Sequence, residues 1–300
     1  MTAPLVIGVD VGGTRIRAGL VDREGTVLAR KELESPEREE EVVAALDGAV
    51  ADLLDERVGA LGYGVPANLD RRTGRILRAT NLPLDDFDLR GHAAARFGLP
   101  AGVENDANAA ALAEWKLGAG RGASTLVMLT LGTGVGGGLV LDGRPYRGWA
   151  EIGHVVVRAG GPPCQGACHG RGHLEALASG TAADRAAREL YGPDADARLL
   201  VERARAGEAE ALARLHELAD VLGAAIGSLA NLFDPDLVVV GGGFGEGAAE
   251  LLLPRAQEAA RREALAPADA RLRIVPAELG VDAGLVGAAL VGFEALDGAW

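Results

Sequence analysis

The sequence predicts an α/β protein of two similar domains. Strand-like apolar runs alternate with helix-like runs along the chain. An apolar run ending in a glycine-rich turn recurs at Asp10, Gly132 and Gly241. The first two of these turns open onto a further strand, as if one meander had been used twice. At 300 residues the chain is long enough for one large or two medium domains. The expectation is residues 1–112, completed by a C-terminal helix at 283–300, and residues 113–282, facing each other across a cleft.

The elements follow in order. "PLVIGVD" is a short apolar run ending in Asp10 and reads as a buried strand before a tight turn. "RIRAGLVD" alternates and "DREGTVLARKEL" supplies a turn and a third strand. "SPEREEEVVAALDGAVADLL" carries a helix start, with Ser35 as N-cap, Pro36 first and acids in the first turn. "ALGYGVPAN" is a strand ending in a glycine-proline turn, "LRGHAAARFG" a helix, "AGVEN" a strand and "DANAAALAEWKLG" a helix. "STLVMLTLG", the loop "GTGVGGG" and "GLVLDG" repeat the opening pattern. The chain then reads as helical from about Glu175 to Leu232, with a break near "YGPDAD". "PDLVVVGGG" is a strand, "EGAAELLLPRAQEAARREA" a helix, "RLRIVPAEL" a strand and "DAGLVGAALVGFEAL" a final helix.

Composition narrows the function. The net charge of −13 argues against duplex nucleic acid as a partner, because phosphates are bound mainly by Lys and Arg. Lys31 and Lys116 are the only lysines, so no P-loop lysine is present and a phosphate site would use backbone N–H groups, a divalent metal and arginine. No run of 18 apolar residues predicts a membrane helix. The opening "MTAPLVIGVD" lacks a basic n-region, so the expected compartment is the cytoplasm, where clustered Cys and His more often bind metal than form disulfides. Forty-four glycines without a repeat imply tight turns and close backbone approaches.

Several motifs could carry chemistry. In "GVDVGGTRIRAG" the amides of Gly12 and Gly13 suit an anion, Thr14 adds a hydroxyl, Arg15 a cation, and Asp10 could hold a hydrated Mg²⁺; a plain β-turn is the alternative. "TLGTGVGGG" repeats the design with Gly132, Thr133 and Gly134, and Gly242 and Gly243 could let a nucleoside lie against backbone. In "GVENDANAA", Asp106 is a candidate general base beside Asn105, or one of the two simply caps the helix. Trp149, Arg147 and His92 read as surface or packing residues.

Taken together, Asp10–Thr14, Asn105–Asp106, Gly132–Gly138, the "EIGH" of Glu151–His154, the Cys/His stretch and the "LE.LASG" of 174–180 resemble the ROK family of sugar kinases. The resemblance spans Asp10 to Gly243 and is nearest the bacterial ROK glucokinases, given "GYGVPANLD", "ATNLP" and "VENDANAAALAE". It implies a two-lobed actin-like ATPase (ribonuclease H-like) fold with a ligand cleft between the lobes, ATP with Mg²⁺, and transfer to the C6 hydroxyl of a hexose, glucose above mannose, fructose, allose or N-acetylmannosamine. Carried over residue by residue, Asp106 is the base, and Asn105, Glu151, His154 and Glu175 bind sugar hydroxyls. Asp10, Gly12, Gly13, Thr14 and the 132–138 loop serve the phosphates and metal, and Gly242 and Gly243 the nucleoside. A homodimer or homotetramer is implied.

The family's zinc stretch, a His followed by C-x-C-G-x-x-G-C-x-E, is altered here. Aligned on Glu175, Gly166 and His173 replace its first and last cysteines, Cys168 keeps the middle place, and Cys164 comes two residues early. His154, Cys164, Cys168 and His173 still make a Cys₂His₂ set for a structural Zn²⁺, with His169 as a spare. A metal-free thiol pair and two unrelated cysteines are the alternatives. The resemblance also covers sugar-responsive repressors, but those carry a DNA-binding segment before the first glycine turn, where this sequence has nine residues. A zinc hydrolase is disfavoured, because four protein ligands leave no open metal position.

Overall fold

The computed structural model describes residues 4–298; residues 1–3 and 299–300, the ends of the expected domain spans, lie outside the described residues. The chain divides into two compact units. One comprises Met1–Leu117, Arg147–Trp149 and Asp282–Trp300, the other Gly118–Tyr146 and Ala150–Val281.

The strands of the first unit are β1 (Leu5–Val11), β2 (Arg15–Val21), β3 (Val27–Glu34), β4 (Val58–Val65), β5 (Ala67–Asp70), β6 (Arg75–Ala79) and β7 (Ala101–Asn105). Its helices are α1 (Glu39–Leu53), α2 (Leu89–Phe97) and α3 (Asp106–Leu117). β1, β2 and β3 form an antiparallel meander, and β4 and β7 add in parallel, in the order β3-β2-β1-β4-β7. Strand periodicity divides the side chains between two faces. Ile7, Val9, Leu61 and Tyr63 join Val42, Leu46 and Val50 of α1 in one buried cluster.

The second unit repeats this topology. Its strands are β8 (Leu126–Leu131), β9 (Val135–Leu141), β10 (Arg144–Pro145), β11 (Leu237–Gly241) and β12 (Ile274–Pro276), in the order β10-β9-β8-β11-β12. β8, β9 and β10 are antiparallel, and β11 and β12 add in parallel. Its helices are α4 (Leu174–Ala178), α5 (Gly180–Tyr191), α6 (Ala197–Arg205), α7 (Ala209–Phe233), α8 (Gly243–Gly247), α9 (Ala249–Glu263) and α10 (Ala268–Arg271). Leu215, Leu222 and Ile226 of α7, Leu252 and Ala256 of α9, and Val238 and Val240 of β11 share its core.

The last helix, α11 (Ala283–Leu296), belongs to the first unit. It lies on the other face of that sheet, where a row of glycines admits it. Gly19, Gly8, Gly62 and Gly102 are register partners across β2, β1, β4 and β7. A Cβ at Gly8 would fall 2.6 Å from the Leu285 carbonyl oxygen, one at Gly102 2.6 Å from that of Val291, and one at Gly62 on that of Ala288. Gly287 of α11 in turn lies against the Ala109 carbonyl of α3.

Three expectations need amendment. Helix α1 begins at Glu39, with Arg38 at its N-cap position and no side-chain cap. Ser35 does not cap it: it lies three residues before the cap position, its N–H donates to the Thr14 carbonyl at 2.9 Å, and its buried hydroxyl has no partner among the described residues. The helical stretch after Glu175 breaks at Ser179 and at 206–208 as well as near 192–196; Ser179 is an N-cap, accepting from the Ala182 N–H. The hairpin of β5 and β6 was not expected and carries Arg71 in its turn. Among the described residues no helix is long and apolar enough to cross a membrane.

The glycine row predicts opposite effects for two substitutions to alanine. Gly62→Ala should lower the unfolding free energy by about 3 kcal/mol, since backbone must move to make room. Gly48→Ala, in α1 with nothing within 4 Å of its Cβ position, should raise it by ~0.5–1 kcal/mol. Denaturant midpoints of the two variants check both signs.

Candidate active site

Two turns occupy the same topological place, between the first two strands of each meander. After β1, the Gly12 N–H closes the turn on the Arg15 carbonyl at 2.8 Å, and the N–H groups of Gly13 and Thr14 have no partner within the described residues. After β8, the Gly132 N–H closes on the Gly134 carbonyl at 3.0 Å, and the N–H groups of Thr133 and Gly134 are likewise unpartnered. Each turn therefore offers two adjacent donors to an anion. The carbonyls of the second turn are tied back: Gly132 accepts from Gly180 N–H at 2.7 Å, and Thr133 from the Thr181 hydroxyl at 2.8 Å and the Gln165 amide at 3.3 Å.

Asp10 is the penultimate residue of β1, with a side chain only 20% exposed, 3.8 Å from Arg17. Burial pushes its carboxyl above the usual carboxylate range, and Arg17 pulls it partly back. Gly284 opens the space it occupies, since a Cβ there would fall 2.8 Å from the carboxyl carbon. A carboxylate so poorly neutralised by protein gains from a divalent cation. Arg15 turns away, its guanidinium 2.7 Å from Glu32 and 60% exposed. Gly242 follows β11 with φ +84°, and a Cβ there would strike the Leu131 backbone at 2.7 Å, so close packing of β11 on β8 already demands this glycine. Nothing lies within 4 Å of a Cβ at Gly243.

The strand-to-helix junction of β7 and α3 divides its labour. The Asn105 side-chain oxygen accepts from the N–H groups of Ala107 at 3.0 Å and Asn108 at 3.2 Å, so Asn105 is the helix cap. Its amide nitrogen, 3.4 Å from the Ala67 carbonyl, is what it can still offer a ligand. Asp106 is the first residue of α3, and its Oδ1 accepts from the Ala107 N–H at 2.9 Å.

In the second unit, Glu151 is exposed just before a 3₁₀ turn at Ile152–His154. His154, Cys164, Cys168 and His173 bring their ligand atoms within 4.8 Å of one another, and His169 is not among them. A tetrahedral zinc with bonds of about 2.3 Å to sulfur and ~2.05 Å to nitrogen requires N–N edges of about 3.3 Å and N–S edges of about 3.55 Å. The two Nδ1 atoms of His154 and His173 are 3.3 Å apart, Cys168 Sγ is 3.5 Å from His173 Nδ1, and Cys164 Sγ is 3.7 Å from His154 Nδ1. The donor set thus fits zinc. Left to protein alone, burial reinforced by Cys168 pushes the Cys164 thiol up to about 11, and a bound cation is what would make it a thiolate. Since Nδ1 of His154 faces this cluster, Nε2 stays available, 4.0 Å from Glu151.

Glu175 joins the cluster to the second turn. One oxygen accepts from the Val135 N–H at 3.0 Å, and the other lies 3.8 Å from Cys164 Sγ. Gln165 does similar work, donating to Thr133, to the Glu175 carbonyl at 3.4 Å and to Ser179 at 3.0 Å. The sequence reading missed Gln165, and also Glu104, Arg71 and Asn108 beside Asp106. The available signal was a carboxylate directly after the apolar run "AGV": Glu104 is 4% exposed and paired with the two terminal guanidinium nitrogens of Arg71 at 2.8 Å.

Comparison with known proteins places the chain. A sequence profile of the ROK family matches residues 6–293. The chain is 35% identical to a glucokinase of Thermotoga maritima, over 98% of each chain. It resembles the crystal structure of a ROK family glucokinase from Streptomyces griseus in complex with glucose and AMPPNP, with a TM-score of 0.85 and 36% identity over 97% of this chain and 99% of that one. It also resembles the ROK hexokinase of Thermus thermophilus, with a TM-score of 0.80 and 38% identity over 98% and 99%. The α/β fold expected from the sequence is therefore the actin-like ATPase fold of these enzymes, and the chain belongs to the ROK family.

Proposed function

We propose that the chain is an ATP-dependent glucokinase, transferring the γ-phosphoryl group of ATP to the C6 hydroxyl of glucose. The end-to-end likeness to the Streptomyces griseus enzyme, whose crystals hold glucose and an ATP analogue, carries this reading. The residues give it chemical sense. Asp106 accepts the proton of the acceptor hydroxyl as the bond to phosphorus forms, and the amide nitrogen of Asn105, Glu151, Nε2 of His154 and Glu175 bind hydroxyls of the sugar. The free N–H groups of Gly13, Thr14, Thr133 and Gly134 receive phosphate oxygens, where a loose transition state leaves most of the work to positioning and electrostatics. The backbone at Gly242 and Gly243 borders the nucleoside. Arg15 is left out of the phosphate set, since its partner is Glu32.

Asp10 would hold Mg²⁺ through water, and the ion supplies charge neutralisation of the triphosphate. His154, Cys164, Cys168 and His173 would hold Zn²⁺, which when bound cross-links a loop rich in glycine and proline. The consequence for this chain is that His154 keeps one tautomer, with Nε2 directed to substrate. The proposed setting is the cytoplasm, in keeping with two free cysteines. The proposed assembly is a homodimer or homotetramer with an interface on the helices between 175 and 232.

Two outcomes test the reading. Asp106→Asn should keep glucose affinity, measured by calorimetry, while turnover falls by about two orders of magnitude or more; near-normal turnover would refute the base assignment. Cys168→Ala should lose about one zinc per chain by elemental analysis, and its glucose Kd should rise roughly 10- to 100-fold with ATP binding retained. Unchanged glucose affinity in zinc-free protein would remove the metal from the account.

A further inference from the structure

A buried carboxylate that the proposed chemistry does not use stands next to the proposed base. Glu104 is the fourth residue of β7, 4% exposed, and its two oxygens are shared among several groups of the first unit. Arg71, from the turn between β5 and β6, donates to both at 2.8 Å. Asn108 Nδ2 of α3 donates at 3.1 Å, and the Asn105 N–H donates at 2.8 Å. Arg147 brings a second guanidinium to 3.6 Å and is itself tied to Glu294 of α11 at 2.6 Å. Arg71 and Asn108 then both reach the Gly148 carbonyl, at 3.3 and 3.5 Å.

This cluster is poorly suited to stability alone. A buried ion pair gains little over apolar packing once desolvation is counted. Arg71 Nε and Asn108 Oδ1 are also buried with no protein partner, an unfavourable arrangement in itself. What the cluster does achieve is geometric. It holds the backbone N–H of the residue preceding Asp106. It also fastens the strap Arg147–Trp149, which belongs to the first unit although the chain on either side belongs to the second. The strap ends two residues before Glu151, so fixing Gly148 restricts where the chain can deliver that carboxylate.

We propose that Glu104 is a positioning residue for phosphoryl transfer, whose carboxylate fixes at once the turn bearing Asp106 and the strap leading into Glu151. This rests on the roles proposed above for Asp106 and Glu151. Arg147 is the strap's half of the device and Arg71 the hairpin's half. None of the three touches a reacting atom in this account.

The test separates sugar constants from nucleotide constants. Arg147→Met should raise the KM for glucose about tenfold while the KM for ATP stays within about twofold, and Arg147→Lys should recover most of the loss. Glu104→Gln should show the same rise and also lower kcat by roughly 10- to 100-fold, the scale expected of a misplaced catalytic group. Should Glu104→Gln fail to fold, the two Arg147 variants decide. Equal rises in both KM values, or a folded Glu104→Gln with constants near wild type, would overturn the proposal. Asp106→Asn in the same series keeps the two readings apart: near-normal turnover there sinks the base assignment, whereas the role of Glu104 is judged on the glucose-against-ATP split.

Discussion

The first unit depends on one steric constraint: four register-paired glycines leave a trough into which α11 sinks. At Gly8, Gly62 and Gly102 the contact is with α11 backbone and tolerates no methyl group, while Gly19 makes room for the Leu285 side chain, so the helix has one seat. The same helix carries Gly287, against which the Ala109 carbonyl of α3 packs, and Glu294, which holds Arg147. The position of α3 follows from the seat of α11, and the position of Asp106 follows from α3. Many of the 44 glycines therefore serve the approach of elements to one another, as Gly223 and Gly227 of α7 do against α9.

The twin turns show how a fold can offer adjacent donors to an anion with almost no lysine. In each, the first glycine uses its N–H to close the turn, and that closure leaves the next two donors unpaired. The second turn is further braced through its carbonyls by α5 and by Gln165. Donors held rigid before a ligand arrives need little reorganisation when charge develops, which is where electrostatic preorganisation has its value. A lysine would supply more charge but also a flexible stem to be ordered.

Much of this was legible in the sequence, for reasons of period and punctuation. The α/β class, both meanders and the order of the large helices follow from apolar runs separated by glycine turns. The Cys₂His₂ set was legible despite its altered spacing, because two cysteines and three histidines in one short window are improbable neighbours in a chain with five histidines. Two kinds of feature escaped. The β5–β6 hairpin is short and arginine-rich: β5 alternates over only four residues, and β6 shows no apolar alternation. Arg71, Asn108 and Arg147 matter through a partner, Glu104, up to 43 residues away in sequence, and no local pattern announces a long-range ion pair. Ser35 misled for the opposite reason: its local signal suits an N-cap, but the sheet runs on to it and the helix starts only at Glu39.

Glu175 shows why the Cys/His loop and the Gly132–Gly134 turn of the second unit have to be considered as one structure. Its Oε2 takes the N–H of Val135, the residue immediately after the turn, and leaves no room for a side chain at Gly134. Its Oε1 faces Cys164 of the metal cluster. Gln165, the residue after Cys164, bonds to the turn at Thr133, to the Glu175 carbonyl and to the cap of α5. Any displacement of Cys164 is thus transmitted through two short hydrogen-bonded routes to the amides of Thr133 and Gly134. The loop itself has little apolar content with which to hold Cys164 still; backbone bonds such as Cys164 N–H to the Gly170 carbonyl at 2.9 Å order it, and two imidazoles and two thiols converge beside them. On the reading proposed above, a metal held there would stiffen His154 and the Thr133–Gly134 turn together, which local packing of a glycine-rich loop would not achieve.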